Sequence, residues 1–202
     1  MGVDREGRDR TARVSRATKE TQIEAEVALD RGIACDVATG IGFFDHMLTQ
    51  VAYHARISLR VACSGDLHVD DHHTVEDVGI TIGAALRQAL GECAGIVRYG
   101  SAIVPMDESL VLCALDISGR GLASLDLPIA AERVGDLGSE TVAEFFTALA
   151  RSAQITIHIR RLAGENSHHL IEAAFKSFAR ALREAIRIET PGGSAPSTKG
   201  ML

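Results

Sequence analysis

Apolar and polar positions alternate along the chain in an order of elements that occurs twice. The first series predicts two strands, a helix, a strand and a long helix, at residues 21–29, 33–37, 43–53, 57–63 and 75–90. The second series predicts the same order at residues 110–117, 122–127, 140–151, 155–160 and 170–188. The pattern therefore predicts an α+β protein, made by tandem duplication of a β-β-α-β-α half-domain.

The repeat also sets the expected boundaries. Residues 1–95 form the first half-domain and residues 96–189 the second, and no element is predicted in the polar, Arg-rich leader before residue 21. Residues 190–202 are rich in Pro, Gly and Ser, which predicts a flexible tail. Because this tail contains a hydroxyl pair and a lysine beside glycine at residues 197–200, we expect it to close over an anionic group.

Each long helix is predicted to begin with the motif His-His-x-x-Glu. The first His turn is His72, His73 and Glu76, and the second His turn is His168, His169 and Glu172. Neighbouring residues on a helix point about 100° apart, so each turn suits supplying two metal ions better than enclosing one. Imidazole and carboxylate ligands without thiolate favour Mn, Fe, Ni or Zn. A solvated polar turn is the alternative for a single copy, and the repetition favours a metal site.

The spacing of the repeat adds two candidate ligands. Ile57 and Ile155 lie 98 positions apart, and at the same spacing His46 falls opposite Glu144. The eight candidates then provide four ligands for each of two metal ions, with open positions for substrate or water. The alternative for Glu144 is an exposed helix carboxylate.

Composition limits the classes of protein that remain. The chain of 202 residues is 46% hydrophobic, and its formal net charge of −6 argues against a general nucleic-acid binder. The four cysteines form no Cys-x-x-Cys motif, which predicts reduced core residues. No apolar run is long enough to span a membrane and the N-terminus lacks a signal core, so we expect a soluble cytoplasmic protein.

Several motifs together resemble imidazoleglycerol-phosphate dehydratase, a family of histidine biosynthesis. They cover nearly the whole chain after the leader, in the same order: TKET (18–21), TGIGFFDHMLTQ (39–50), GDLHVDDHHTVED (65–77), RYG (98–100), MDE (106–108), DISGR (116–120), AGENSHHLIEAAFK (163–176) and PSTKG (196–200). The resemblance implies half-domains that are each a four-stranded sheet backed by helices. It also implies trimers that assemble into a 24-mer, with two Mn²⁺ per active site held between subunits.

The resemblance assigns roles to individual residues. The implied metal ligands are His46, His72, His73, Glu76, His168, His169 and Glu172. Many family members carry His at position 144, and Glu144 is kept as a ligand because the internal repeat places it opposite His46. The implied substrate-binding residues, mainly for the phosphate, are Glu20, Gln50, Arg98, Arg120, Lys176, Ser197, Thr198 and Lys199. Glu20 is the first candidate for acid–base catalysis and Asp107 the second.

The implied reaction removes water from imidazole glycerol phosphate and gives imidazole acetol phosphate. No carbonyl group acidifies the proton that is removed, so a metal-anchored imidazole ring has to help expel the hydroxyl while a carboxylate moves the proton. Two other classes remain compatible with the residues. These are a metal-dependent hydrolase and a non-enzymatic metal-storage or assembly protein.

Overall fold

Two four-stranded sheets dominate the computed structural model, which describes residues 9–197. The first sheet has the order β1-β2-β4-β3, with strands Thr11–Ala17, Thr21–Ala28, Ala34–Ala38 and Ser58–Gly65 for β1 to β4. The second has the order β5-β6-β10-β7, with strands Tyr99–Met106 (β5), Ser109–Asp116 (β6), Leu122–Asp126 (β7) and Thr156–Ala163 (β10). A two-stranded ribbon is formed by β8 (Arg133–Val134) and β9 (Leu137–Gly138).

Four helices lie between the two sheets. They are α1 (Gly42–Ala55), α2 (His72–Leu90), α3 (Thr141–Ala153) and α4 (Ser167–Ala185). Helices α1 and α2 contact the first sheet, and α3 and α4 contact the second. Across the middle, however, α1 packs along α4 and α2 packs along α3. The helices of one half therefore complete the core of the other, and buried residues of both halves form one continuous hydrophobic cluster.

The duplicated α+β fold is confirmed, with one strand more in each four-stranded sheet than the hydrophobic pattern indicated, and with the ribbon of β8 and β9 in addition. Strand β1 lies in the segment interpreted as a polar leader, and β5 was not predicted. Both are edge strands of their sheets. In β1 the inward residues Ala12 and Val14 are only half-buried, and in β5 Gly100 faces α4 so closely that a β-carbon would lie 1.9 Å from the carbonyl oxygen of Ala181. Small inward residues leave little hydrophobic signal.

The spacing inferred from the repeat is also confirmed. Strands β4 and β10 start 98 residues apart, at Ser58 and Thr156. Helices α1 and α3 end in the same way, with left-handed C-cap residues Arg56 and Gln154 at φ values of 58° and 56°. Positions 46 and 144 are therefore structurally equivalent.

Two smaller expectations have different outcomes. All four cysteines are free, and burial raises the pKa of Cys113 to about 12. Cys35, however, is exposed on the edge strand β3, so its assignment to the core was wrong. Between residues 9 and 197, no helix combines the length and apolarity needed to cross a membrane.

The ribbon of β8 and β9 holds the starts of two helices from the other half. Asp136 lies in its turn and accepts hydrogen bonds from the backbone N–H groups of Gly42 (2.6 Å) and Phe43 (2.9 Å), so it caps α1 from 94 and 93 positions away. Asp71, which directly precedes α2, is buried and accepts from the backbone N–H of Gly138. The ribbon thus fixes the helices that carry His46 and the first His turn.

We expect Asp136→Ala to lower the free energy of unfolding by about 1 kcal/mol, because α1 loses its only side-chain cap among the described contacts. Burial tends to raise the pKa of Asp136, but the N–H groups of Phe43 and Gly42 outweigh it and hold the pKa below the ordinary value of 3.8. The stabilisation should therefore be complete above pH 3.8 and disappear as the pH falls through the lower, folded-state pKa.

Chemical denaturation at several pH values measures this difference. Glu132→Ala, which removes a neighbouring exposed carboxylate, is the matched control and should change stability little. A difference between Asp136→Ala and the parent that does not shrink in acid would contradict the capping role.

Candidate active site

The first cluster of candidate residues surrounds the first His turn. His73 donates from Nδ1 to Asp66 Oδ2 at 3.0 Å, and its Nε2 lies 3.9 Å from Glu20 Oε1. His72 Nε2 lies 3.9 Å from Glu76 Oε2. The hydrogen bond to Asp66 raises the pKa of His73, and the charge of Glu20 adds to the effect. This cluster therefore gathers residues from the β1–β2 turn, the loop after β4 and the start of α2.

The second cluster contains a buried carboxylate that three side chains approach. Glu172 is 5% exposed, and its Oε2 lies 3.1 Å from His168 Nε2 and 3.7 Å from His46 Nε2. Its other oxygen, Oε1, receives Lys176 Nζ at 2.6 Å. Burial raises the pKa of Glu172, but Lys176 and His168 lower it by more than burial raises it. The net shift of the pKa is therefore downward, and the carboxylate stays ionised. Phe43 packs edge-on against His168, with 4.9 Å between ring centroids.

His169 completes the second cluster with two carboxylates of its own. Its Nδ1 donates to Glu108 Oε2 at 2.8 Å, and its Nε2 lies 3.7 Å from Asp107 Oδ2. The hydrogen bond from His169 is the largest of the effects that lower the pKa of Glu108 to about 2. Asn166 caps α4 by accepting the backbone N–H of His169, which fixes the start of the helix.

Within each His turn the two imidazole rings are nearly perpendicular to each other. The rings of His72 and His73 are 6.2 Å apart at 86°, and those of His168 and His169 are 6.0 Å apart at 84°. In the part of the chain that the structure describes, no three His, Cys, Asp or Glu side chains come close enough together to hold a metal ion.

Helix packing decides which His turn His46 approaches. His46 lies beside Glu172 of the second His turn, since α1 packs along α4. Glu144, the equivalent of His46, is half-buried on α3, which packs along α2.

The donor types, imidazole nitrogen and carboxylate oxygen, are those that a divalent transition metal takes. In both His turns a carboxylate holds Nδ1 of one histidine, Asp66 for His73 and Glu108 for His169. A carboxylate on one ring nitrogen fixes the tautomer and leaves the other nitrogen as a lone-pair donor, the arrangement that metal-binding histidines usually have.

The candidate phosphate residues do not form one group. Arg98 donates from Nε to Asp116 Oδ1 (2.7 Å) and from Nη1 to the carbonyl of Pro196 (2.9 Å), so it ties the tail to β6. Arg120 Nη2 lies 4.0 Å from Asp116 Oδ2 and its side chain is 72% exposed. Lys176 belongs to the second cluster instead. Ser197 directly follows the Arg98 contact, whereas Thr198 and Lys199 lie outside the described residues.

Gln50 lies on α1, one turn beyond His46. Its Oε1 lies 3.2 Å from His54 Nε2, so the neutral ring of His54 can donate to it and leave the amide nitrogen of Gln50 free to donate. Burial and the charges of Lys176 and Arg180 lower the pKa of His54, which favours this neutral form.

Sequence reasoning missed the residues that support the site. Asp66 and Glu108 hold histidines, and Asp136 caps α1. Glu108 could have been found from the sequence, because it occupies the position in the β5–β6 turn that Glu20 occupies in the β1–β2 turn. This equivalence was not visible because strands β1 and β5, which define the two turns, were not predicted.

The fold and these clusters define the class of protein. It is a duplicated α+β protein with two imidazole–carboxylate clusters, the second of which includes His46 from the first half, and a separate pair of arginines around Asp116.

Comparison with known proteins identifies the family. The family model of imidazoleglycerol-phosphate dehydratase matches residues 39–182. The imidazoleglycerol-phosphate dehydratase of Desulforamulus reducens is 55% identical over 194 residues, which cover 96% of this chain and 99% of the relative. That of Listeria monocytogenes is 51% identical over 193 residues, covering 96% of this chain and 100% of the relative.

Two crystal structures agree. The IGPD of Pyrococcus furiosus, in complex with (S)-C348, has a TM-score of 0.82 and 41% identity, covering 94% of this chain and 100% of that one. The enzyme of Staphylococcus aureus has a TM-score of 0.79 and 39% identity, covering 87% of this chain and 97% of that one. The chain therefore belongs to the imidazoleglycerol-phosphate dehydratase family, the hydro-lyases of histidine biosynthesis, as its motifs predicted.

Proposed function

We propose that this chain is a Mn²⁺-dependent cytoplasmic dehydratase that removes water from imidazoleglycerol phosphate and gives imidazole acetol phosphate. The observation that carries the proposal is the paired arrangement of His73 and His169. Each donates from Nδ1 to a carboxylate, at 3.0 and 2.8 Å, and so presents Nε2 as a ligand. The cytoplasmic location rests on the sequence alone. Cell fractionation tests it, and recovery of the protein in another fraction would contradict it.

The metal ligands in this proposal come from both clusters. They are His46, His72, His73, Glu76, Glu144, His168, His169 and Glu172, two metal ions being bound per active site. A Mn²⁺ ion held by these groups would supply an electrophilic anchor for the imidazole ring of the substrate. The chain itself orients the imidazoles through Asp66 and Glu108.

Glu20 is the proposed acid–base residue. Dehydration breaks the C–O bond beside the ring, the hydroxyl taking up a proton to leave as water, and removes a proton from the neighbouring carbon to give an enol that tautomerises to the ketone. Glu20 suits this transfer because its side chain is 52% exposed and its Oε1 lies 3.9 Å from His73 Nε2, on the side of the ring that faces a ligand. Asp107 has the corresponding place beside His169 Nε2, at 3.7 Å, and is the second candidate.

The phosphate is assigned to cations and hydroxyls around the tail. Arg98, Arg120 and Lys176 supply positive charge, and Ser197, Thr198 and Lys199 supply further donors. The guanidinium of Arg98 keeps N–H groups beyond those used by Asp116 and Pro196. Gln50 adds an amide donor for the hydroxyls of the substrate.

A second copy of the chain is the proposed partner that completes each active site, in trimers that assemble into a 24-mer. The supporting observation is that candidate ligands face outward: the side chains of His46, His72 and His168 are 47, 40 and 46% exposed. Sedimentation of the metal-loaded protein measures the assembly, and a monomer would contradict this part of the proposal.

Protein stripped with a chelator should lose turnover of imidazoleglycerol phosphate and regain it when Mn²⁺ is added, because the ring then has its electrophilic anchor. Formation of imidazole acetol phosphate is the measurement. Mg²⁺, which prefers oxygen ligands, is the control ion and should restore much less activity. Full turnover by the stripped protein would rule out the metal requirement.

Glu20→Gln should keep metal binding and assembly but reduce kcat by about 10²-fold or more, because the amide cannot accept the proton. Glu26→Gln is the matched control, since Glu26 lies on the same strand as Thr21 and away from both clusters. Wild-type turnover by Glu20→Gln would exclude Glu20 as the acid–base residue and direct attention to Asp107.

A further inference from the structure

Each half carries a glutamate at the same point of its first β-turn. Strands β1 and β5 start 88 residues apart, as do β2 and β6 and also β3 and β7. Glu20 directly precedes β2 and Glu108 directly precedes β6, so the two glutamates are equivalent in the duplication. Both turns lie beside the His turn of their own half.

The two equivalent glutamates nevertheless contact opposite sides of an imidazole ring. Glu108 Oε2 receives the Nδ1–H of His169 at 2.8 Å, and its Oε1 receives the backbone N–H of Asn166 at 3.2 Å. Glu20 Oε1 instead lies 3.9 Å from Nε2 of His73. Both oxygens of Glu108 are therefore engaged in holding the second His turn, whereas Glu20 approaches the ring nitrogen of His73 that Asp66 does not hold.

Asp66 accounts for the difference between the halves. It receives the Nδ1–H of His73 at 3.0 Å, and its side chain is 16% exposed. At the 98-residue spacing of β4 and β10 the equivalent of Asp66 is Gly164, which has no carboxylate, and the next residue, Glu165, is exposed. The second loop is also shorter, with five positions rather than seven from the end of the strand to the first histidine. The first half thus takes its supporting carboxylate from the loop and the second takes it from the turn.

We infer that Asp66 and Glu108 are matching positioning residues, each fixing one candidate metal-binding histidine through Nδ1, and that Asp66 thereby leaves Glu20 available for proton transfer. Both oxygens of Glu108 accept hydrogen bonds within the second His turn, so Glu108 is placed to hold that turn, whereas Glu20 is not held in this way. The inference rests on the proposed function, since it takes His73 and His169 as ligands and Glu20 as the acid–base residue.

Mn²⁺ affinity separates a positioning carboxylate from a proton-transferring one. The proteins to compare are the parent and the Asp66→Ala, Asp66→Asn, Glu108→Ala, Glu108→Gln, Glu20→Ala and Glu20→Gln variants, all chelator-stripped and titrated with Mn²⁺. The paramagnetic resonance signal of free Mn²⁺ gives affinity and stoichiometry. Circular dichroism and sedimentation verify that each variant is folded and assembled.

Asp66→Ala and Glu108→Ala should each weaken Mn²⁺ binding at part of the sites by about 10- to 100-fold. Asp66→Asn and Glu108→Gln should recover part of that loss, because an amide oxygen still accepts from Nδ1–H. Both Glu20 variants should bind Mn²⁺ like the parent and lose turnover.

Other results would overturn the inference. Parent-like affinity in Glu108→Ala or Asp66→Ala, or in their amide variants if an alanine variant fails to fold, would remove that residue's positioning role. If Glu20→Ala weakened Mn²⁺ binding as much as Asp66→Ala, the two carboxylates would not have the different roles inferred for them. Parent protein that binds no Mn²⁺ would instead overturn the proposed function, and this inference with it.

Discussion

The crosswise packing of helices is the constraint on which the site depends. Because α2 presents Gly79 and Gly83 to α3, the two helices lie so close that β-carbons there would be 2.9 and 2.7 Å from backbone carbonyl oxygens. The equivalent contact of α1 along α4 brings His46 to Glu172. The second cluster is thus built on helices from both halves, and a separated second half would expose its apolar helix face and lose His46.

The elements that were predicted from the sequence are those with long, regular apolar faces. Helices α2 and α4 run for 19 residues each, and many buried positions repeat their period, so their His turns could be located from the pattern. Strands β1 and β5 lie at sheet edges and have small or polar inward residues, such as Ala12 and Gly100. Their positions are set by pairing with β2 and β6, which periodicity does not encode.

Contacts inside the site could be predicted when the two residues lie on one helix, but not when they are far apart in the sequence. Lys176 lies four residues after Glu172, so their ion pair could have been inferred from helix geometry. Glu108 reaches His169 across 61 residues and Asp136 reaches α1 across more than 90. Such partners depend on how the turn or ribbon packs in three dimensions. The sequence therefore supplied the ligand types, and the fold decided which of them face each other.

Divergence of side chains on a repeated backbone gives this fold chemical asymmetry. The halves share strand order and spacing, yet His46 is matched by Glu144, and the turn glutamates Glu20 and Glu108 make different contacts. Under the proposed function the substrate has one ring to orient and one proton to give up. Two clusters of the second kind would hold both turn glutamates on Nδ1 of a histidine and leave neither for proton transfer. Substitution at a few equivalent positions removes that conflict at little cost to the fold, because the core and the crosswise helix packing are unchanged.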